Sequence, residues 1–203
     1  MKKIITISRE FSSGGRELGK RLADALSIPC YDHQIIEMVA ERQGLDKTYV
    51  ANLSEQDICV FYPNTIGRGF INSNVAGLPS MQIVAEENRL IKELAEKGDC
   101  VIVGRAADII LKDYDPLNIF VYADMESKLE RCKSHAAHEE HLTDRQLIRK
   151  IKRIDKKRAS YRTLFTDKKW GHRESYDLCV NTSGKDIKKL IPSLADFVKD
   201  WFE

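Results

Sequence analysis

The chain has 203 residues, of which 42% are hydrophobic and 32% charged, with 11 glycines, 5 prolines and a formal net charge of +2. One domain fits that length, with about 70% of the unfolded surface available for burial, and the composition excludes a disordered or linker-rich chain. No run approaches the roughly 18 to 20 apolar residues of a spanning helix, and Met1-Lys2-Lys3 leads into a strand pattern without a cleavage site, so a cytoplasmic location and no membrane partner are expected.

Cys30, Cys59, Cys100, Cys132 and Cys179 are odd in number and 29 or more residues apart, with no CxxC pairing. Reduced, mostly buried thiols follow. The net charge conceals an asymmetry: Arg145 to Arg173 holds twelve Lys/Arg against Asp155 and Asp167, leaving the rest of the chain net acidic. Such a segment is either a solvated basic face or a surface for polyanions, phosphates and nucleic acid both being candidates.

Ile4 to Ser8 reads as a β-branched strand, Ser12-Ser13-Gly14-Gly15 as a turn, and Leu18, Leu22, Ala25 and Leu26 as one face of a helix. Ile28 to Asp32 predicts a second strand and Gln34 to Arg42 a second helix. Gly44 to Ser80 mixes turn formers and apolar residues without a period, which predicts loops and a short helix. Met81 to Lys97 is an amphipathic helix stopped by Gly98, and Cys100 to Val103 and Ile119 to Ala123 are strands buried on both faces. A helix over Glu126 to Lys133, a weak strand at Leu178 to Val180 and a terminal helix from Lys185 to Phe202 complete the pattern. The alternation predicts an α/β fold, a doubly wound parallel sheet of about five strands flanked by helices. Ligands then bind where the loops after Ser8, Asp32, Val103 and Ala123 converge.

The first strand, turn and helix carry the chemistry. A glycine-rich turn opening a helix presents backbone N–H groups to an anion. The usual phosphate loop is GxxxxGK[ST], its lysine reaching the β and γ phosphates and its hydroxyl holding magnesium. Here Gly14 is the last loop glycine, Gly15 and Arg16 stand at the lysine and hydroxyl positions, and Arg9 replaces the first glycine. A plain strand-to-helix turn is the alternative, against which stand Arg9, Arg16 and Lys20 flanking it.

The blocks ISREFSSGGRELGKRLA, IPCYDHQII, VIVGRAADIIL and IKRIDKKRASYRTLFTDKKWGHRESYDLCVNTS, in that order over nearly the whole length, resemble the cytidylate-kinase-like family of P-loop kinases. The resemblance implies a P-loop kinase fold in a single domain over 1–203, an acceptor-binding insertion at 44–80 and a basic lid at 142–169. It implies transfer of a phosphoryl group from ATP to a nucleoside monophosphate, cytidylate first, with Mg2+. Arg9, Ser12, Ser13, Gly14, Gly15, Arg16 and Glu17 would bind the nucleotide. Arg16, Arg158 and Arg162 would be catalytic, and Arg153 and Lys157 are further candidates to close over the triphosphate. Arg158 and Arg162 share one helix face, where Asp155 can orient a neighbouring arginine.

For the acceptor, the resemblance implies Arg105 as a fork on the phosphate and Asp32 beside it. Arg131 contacts nucleotide or pairs with Glu130, and Asp177 binds the acceptor sugar or forms a turn at the start of a strand. Ala106 stands where cytidylate kinases carry an aspartate, which opens the acceptor to other small metabolites, with Asp108 nearby. No metal ligand set is visible; Ser12, Ser13 and Glu17 are the substitutes for the missing hydroxyl.

HAAHEEH, with His135, His138 and His141, turns successive imidazoles by about 60° on a helix, which suits a solvated linker and not a zinc site. Trp170 and Tyr176 are read as holding the basic segment to the core rather than stacking bases. A nucleotide-binding regulator or nucleic-acid binder on the same fold is the second class of function: the missing lysine favours it and the arginine-rich segment does not. Small-molecule nucleotides are the expected partners, nucleic acid is not, and oligomeric state has no signal.

Overall fold

The computed structural model describes residues 2–46, 48, 77–135 and 142–203. Most of the 44–80 insertion, Cys59, and His138 and His141 of HAAHEEH lie outside the described residues.

Five strands, β1 (Ile4–Arg9), β2 (Cys30–Tyr31), β3 (Cys100–Val103), β4 (Leu117–Tyr122) and β5 (Leu178–Asn181), form one parallel sheet in the order β2-β3-β1-β4-β5. This is the doubly wound arrangement that the strand–helix alternation predicts. Ile7 pairs with Val103 on one side and Ile119 on the other, so β1 is central, and its carboxyl end opens where β3 and β4 also end.

Two boundaries differ from the sequence reading for local reasons. β2 is only two residues long, starting after Pro29, which has no N–H to give the ladder but whose carbonyl accepts from Val101 N–H at 2.9 Å. β4 starts earlier, at Leu117, because Asn118 is accommodated within it: its Oδ1 accepts from Thr6 Oγ1 at 2.7 Å.

One face of the sheet is covered by α1 (Gly15–Leu26) and α7 (Ile187–Trp201), where Leu18, Leu22, Ile191 and Val198 pack on Ile5, Ile7, Val101 and Ile119. Ala25, expected in that stripe, is exposed, and Ala23 takes its place. Gly19 brings α1 close to the sheet: a Cβ there would lie 2.9 Å from both Ile7 Cδ1 and Val103 Cγ2. The opposite face carries α2 (Gln34–Gln43), α3 (Gly77–Lys97) and the single turn α4 (Ala107–Ile110), with Ile35, Val39, Leu90, Ile91 and Leu94 packed on Ile4 and Ile102. Burial pushes the Cys30 and Cys100 thiols up to about 11, which keeps them protonated.

α5 (Met125–His135) leads toward α6 (Asp144–Arg162), a helix of 19 residues opened by a capping box between Thr143 and Gln146. Leu147 and Ile151 are buried, while Arg145, Arg149, Lys152, Arg153 and Lys156 form an exposed stripe. Arg153, expected to close over a triphosphate, is exposed on this stripe. Trp170 and Tyr176 pack on Phe120 of β4 at centroid distances of 5.4 and 4.8 Å, as anticipated for aromatics that hold this segment to the core.

Beside them Arg162, only 2% exposed, pairs through Nη1 with the buried Asp108 and lies 5.1 Å from the Tyr176 ring centroid. Removing one partner strands a charge in the interior, whereas removing both does not. Asp108→Ala is therefore expected to cost about 3–5 kcal/mol in urea unfolding, and Asp108→Leu combined with Arg162→Met to recover most of it. Equal losses in the two proteins would show that the pair is hydrated and contributes no such penalty.

Candidate phosphate-binding site

β1 delivers Arg9 to the carboxyl edge of the sheet, and the chain turns through Glu10 to Gly14 before α1 begins at Gly15. Ser12 at φ 58° and Gly14 at φ 79° make the turn, and a Cβ on Gly14 would come within 2.8 Å of Ile187 Cδ1. Gly15 explains the absent lysine. A Cβ there would sit 2.5 Å from Arg9 Cβ, so an arginine at the end of β1 requires a glycine at the lysine position. The two departures from the usual loop are one substitution in space.

The loop carbonyls are occupied by donors from three other elements and from the loop itself. Arg158 Nη1 donates to Arg9 O at 3.0 Å, Thr182 Oγ1 to Ser13 O at 2.7 Å, and Arg131 Nη1 to Ser12 O at 3.5 Å, while Ser13 Oγ donates to Glu10 O at 2.9 Å. Arg131 Nη2 also donates to Thr182 O at 2.6 Å, so its guanidinium ties the loop to the turn after β5. Phe11 N–H donates to Asp155 Oδ1 of α6 at 2.6 Å, and Arg158 lies over the Phe11 ring at 5.8 Å.

Cations crowd this edge. Arg9 spans toward β2 and β3, with Nη2 3.6 Å from Asp32 Oδ1, and its guanidinium lies so close to Gly104 that a Cβ there would be 1.8 Å from Nη1. Burial, and then the neighbouring Arg158, push the Arg9 pKa down to about 9; Asp32 works against them, and Arg105 and Arg16 lower it further. Four guanidinium groups thus share one field, in which Asp32 is the carboxylate that faces Arg9. Arg16 turns away from the lysine position to place Nε 2.6 Å from Asp32 Oδ2, with 65% of its side chain exposed.

Arg105, at φ 57° after β3, places Nη1 3.2 Å from Glu87 Oε1, and Tyr161 O–H donates to Glu87 Oε2 at 2.8 Å. Glu87 is fully buried, and burial followed by its charge holds the Tyr161 phenol well above the usual range. Sequence reading missed Glu87 and Tyr161, which sit in α3 and α6 with no motif to mark them. It also missed Lys128 on α5, 5% exposed, with Nζ 2.5 Å from Glu10 Oε2 and 3.7 Å from Asp155 Oδ2. The acidic residue three positions before Arg158 was the one visible signal.

The fold thus brings Arg9, Ser12, Ser13, Gly14, Gly15, Arg16, Asp32, Arg105 and Arg158 to one edge. Arg131 buttresses that edge from behind. Glu17 instead pairs with Arg21 along α1 at 2.7 Å. Asp177 stands at the start of β5, three positions below Arg9 in register, where its Oδ2 accepts from Asn118 N–H at 2.8 Å. That is the turn reading of Asp177. Arg162 points into the interior pair with Asp108, one helical turn beyond Arg158.

The residues do not form a protein cage for Mg2+. The Ser13 hydroxyl is bound to Glu10 O, Asp32 is paired with Arg16 and Glu10 with Lys128, and no group of three or more His, Cys, Asp or Glu side chains is poised around a metal among the described residues. No described helix is long and apolar enough to cross a membrane.

A parallel 2-3-1-4-5 sheet with an anion-binding turn between its central strand and first helix defines a P-loop kinase fold. The model of the cytidylate kinase-like family matches residues 4–184, and the chain belongs to that family. Among solved structures it is similar to an uncharacterized protein from Eubacterium ventriosum, at 24% identity, TM-score 0.70 and coverage of 98% of this chain and 99% of that one. It is also similar in fold to the shikimate kinases of Bacteroides thetaiotaomicron (16% identity, TM-score 0.60, coverage 98% and 99%) and Aquifex aeolicus (19%, 0.52, 97% and 96%). No curated protein sequence matches it.

The contact between Arg9 and Gly104 is testable. Gly104, at φ 83°, admits no side chain without displacing the guanidinium, so Gly104→Ala is expected to lose about 1–3 kcal/mol in thermal unfolding and to weaken binding of inorganic tripolyphosphate roughly tenfold. Unchanged binding would place the Arg9 guanidinium outside the anion site.

Proposed function

We propose that this protein transfers the γ-phosphoryl group of ATP to the phosphate of a nucleoside monophosphate, cytidylate first. The reading rests on the convergence of Arg9, Arg16, Arg105 and Arg158 at the loop. Such a cluster marks a place where bound anions relieve repulsion, and two nucleotides bring several phosphates to it.

In that reaction an acceptor phosphate oxygen attacks the γ phosphorus in line, the bond from that phosphorus to the β–γ bridging oxygen breaks, and ADP leaves with the electron pair. The attacking oxygen is already anionic near neutral pH, so no base is required of the protein. What remains is positioning and charge neutralisation. The loop N–H groups and Arg158 would hold the triphosphate, Arg105 and Arg16 the acceptor phosphate, and Arg9 the region between them. Mg2+, which prefers phosphate and water oxygens, would supply charge neutralisation on the triphosphate. The 142–169 segment would act as the lid and 44–80 as part of the acceptor site.

A second acceptor class, a hydroxyl of a small metabolite, is favoured by Ala106 standing where cytidylate kinases have an aspartate and by the fold likeness to shikimate kinases. ADP release measured over a panel of acceptors separates the two. Turnover is expected with CMP or another nucleoside monophosphate, and Arg9→Ala is expected to lower kcat/KM about 100-fold or more. Turnover of shikimate or a sugar, with every nucleoside monophosphate inert, would replace the first reading with the second.

A further inference from the structure

Asp155 makes contacts that a phosphate oxygen would make. Its Oδ1 accepts from Phe11 N–H, in the middle of the loop, at 2.6 Å, its Oδ2 lies 3.7 Å from Lys128 Nζ, and Arg158 Nη1 is 3.9 Å from Oδ1. One backbone N–H hydrogen bond and two cations within 4 Å of a single carboxylate place around Asp155 the charges that surround a bound phosphate. Lys128 is itself unusual. It comes from α5, not from the loop, and an ammonium on a residue only 5% exposed is costly to bury unless fully paired. Glu10 Oε2 neutralises it at 2.5 Å and also accepts from Ala123 N–H at 3.2 Å, which fixes the ammonium at the mouth of the loop.

We propose that Phe11 N–H and Lys128 form a phosphoryl subsite, Lys128 supplying from α5 the cation that Gly15 cannot supply from the loop, and that Asp155 is a built-in occupant of that subsite. The proposal rests on the reading that the loop binds a nucleotide's phosphates. A carboxylate and a phosphoryl group cannot both lie against the same N–H and ammonium, so the terminal phosphate displaces Asp155. Arg158, one helical turn further along α6, stays within reach and exchanges a carboxylate partner for a phosphate one. Occupancy of the subsite is thereby coupled to the position of the basic helix.

Calorimetric titration of the full chain with inorganic tripolyphosphate, and separately with ATP–Mg2+, tests this in the parent protein and in Asp155→Asn, Lys128→Met and Lys128→Arg. Asp155→Asn is expected to bind tripolyphosphate roughly tenfold tighter than the parent, Lys128→Met roughly tenfold weaker, and Lys128→Arg close to the parent. Where thermal melting shows that Asp155→Asn does not fold, Asp155→Ser takes its place. Tripolyphosphate binding that is unchanged or weakened by loss of the Asp155 charge, or indifferent to Lys128→Met, overturns the subsite even where ATP binds. Tighter tripolyphosphate binding in Asp155→Asn, with no ATP binding by any variant, upholds the subsite and overturns the nucleotide reading.

Discussion

Mutual repulsion among cations is the constraint around which this molecule is arranged. Arg9, Arg16, Arg105, Arg158 and Lys128 are brought to the carboxyl edge of the sheet by five different elements or the loops that follow them, and each is met by a carboxylate: Asp32, Glu87, Asp155 or Glu10. Those carboxylates come from positions that make little sense otherwise. Glu87 is a fully buried acid on a helix whose other buried residues are apolar or small, and Asp155 is the sole acid among the nine Lys/Arg of the stretch from Arg145 to Arg162. Buried charges require partners. The partners, in turn, determine how α3, α5 and α6 pack around the loop.

The exchange at Arg9 and Gly15 shows how such a site can depart from its usual form while keeping its geometry. A lysine in the first turn of the helix and an arginine at the end of the strand cannot coexist, because their Cβ atoms would collide. With the cation moved to the strand, its guanidinium extends across Gly104 toward Asp32, away from the helix N-terminus. Membership in the cytidylate kinase-like family is thus compatible with a loop that fails the standard pattern.

The order of strands and helices was legible because parallel strands buried on two faces leave uninterrupted apolar runs such as Cys100–Val103, and because α1, α3 and α7 carry stripes at helical spacing. The phosphate turn was legible from its glycines. Much of the rest of the site was not. Lys128 and Glu87 are ordinary polar residues of helices, and only tertiary packing distinguishes them from solvated neighbours. Arg16 pointed to the loop in sequence, yet Asp32, sixteen positions away, turns it outward. Arg131 and Asp177 were each read two ways. The structure gives Arg131 a task among backbone carbonyls and Asp177 the role of closing the start of β5, choices set by contacts to Thr182 and Asn118 that no local pattern encodes.

The bonds from Arg131 and Thr182 to the loop carbonyls have a thermodynamic corollary. A phosphate loop whose carbonyls are already held by side chains from α5 and the turn after β5 has little backbone freedom left to lose. Any entropy lost on binding an anion there would fall mainly on side chains rather than on the loop backbone. Because Arg158 and Asp155 of α6 also hold the loop backbone, a change in how that helix sits is felt directly by the turn.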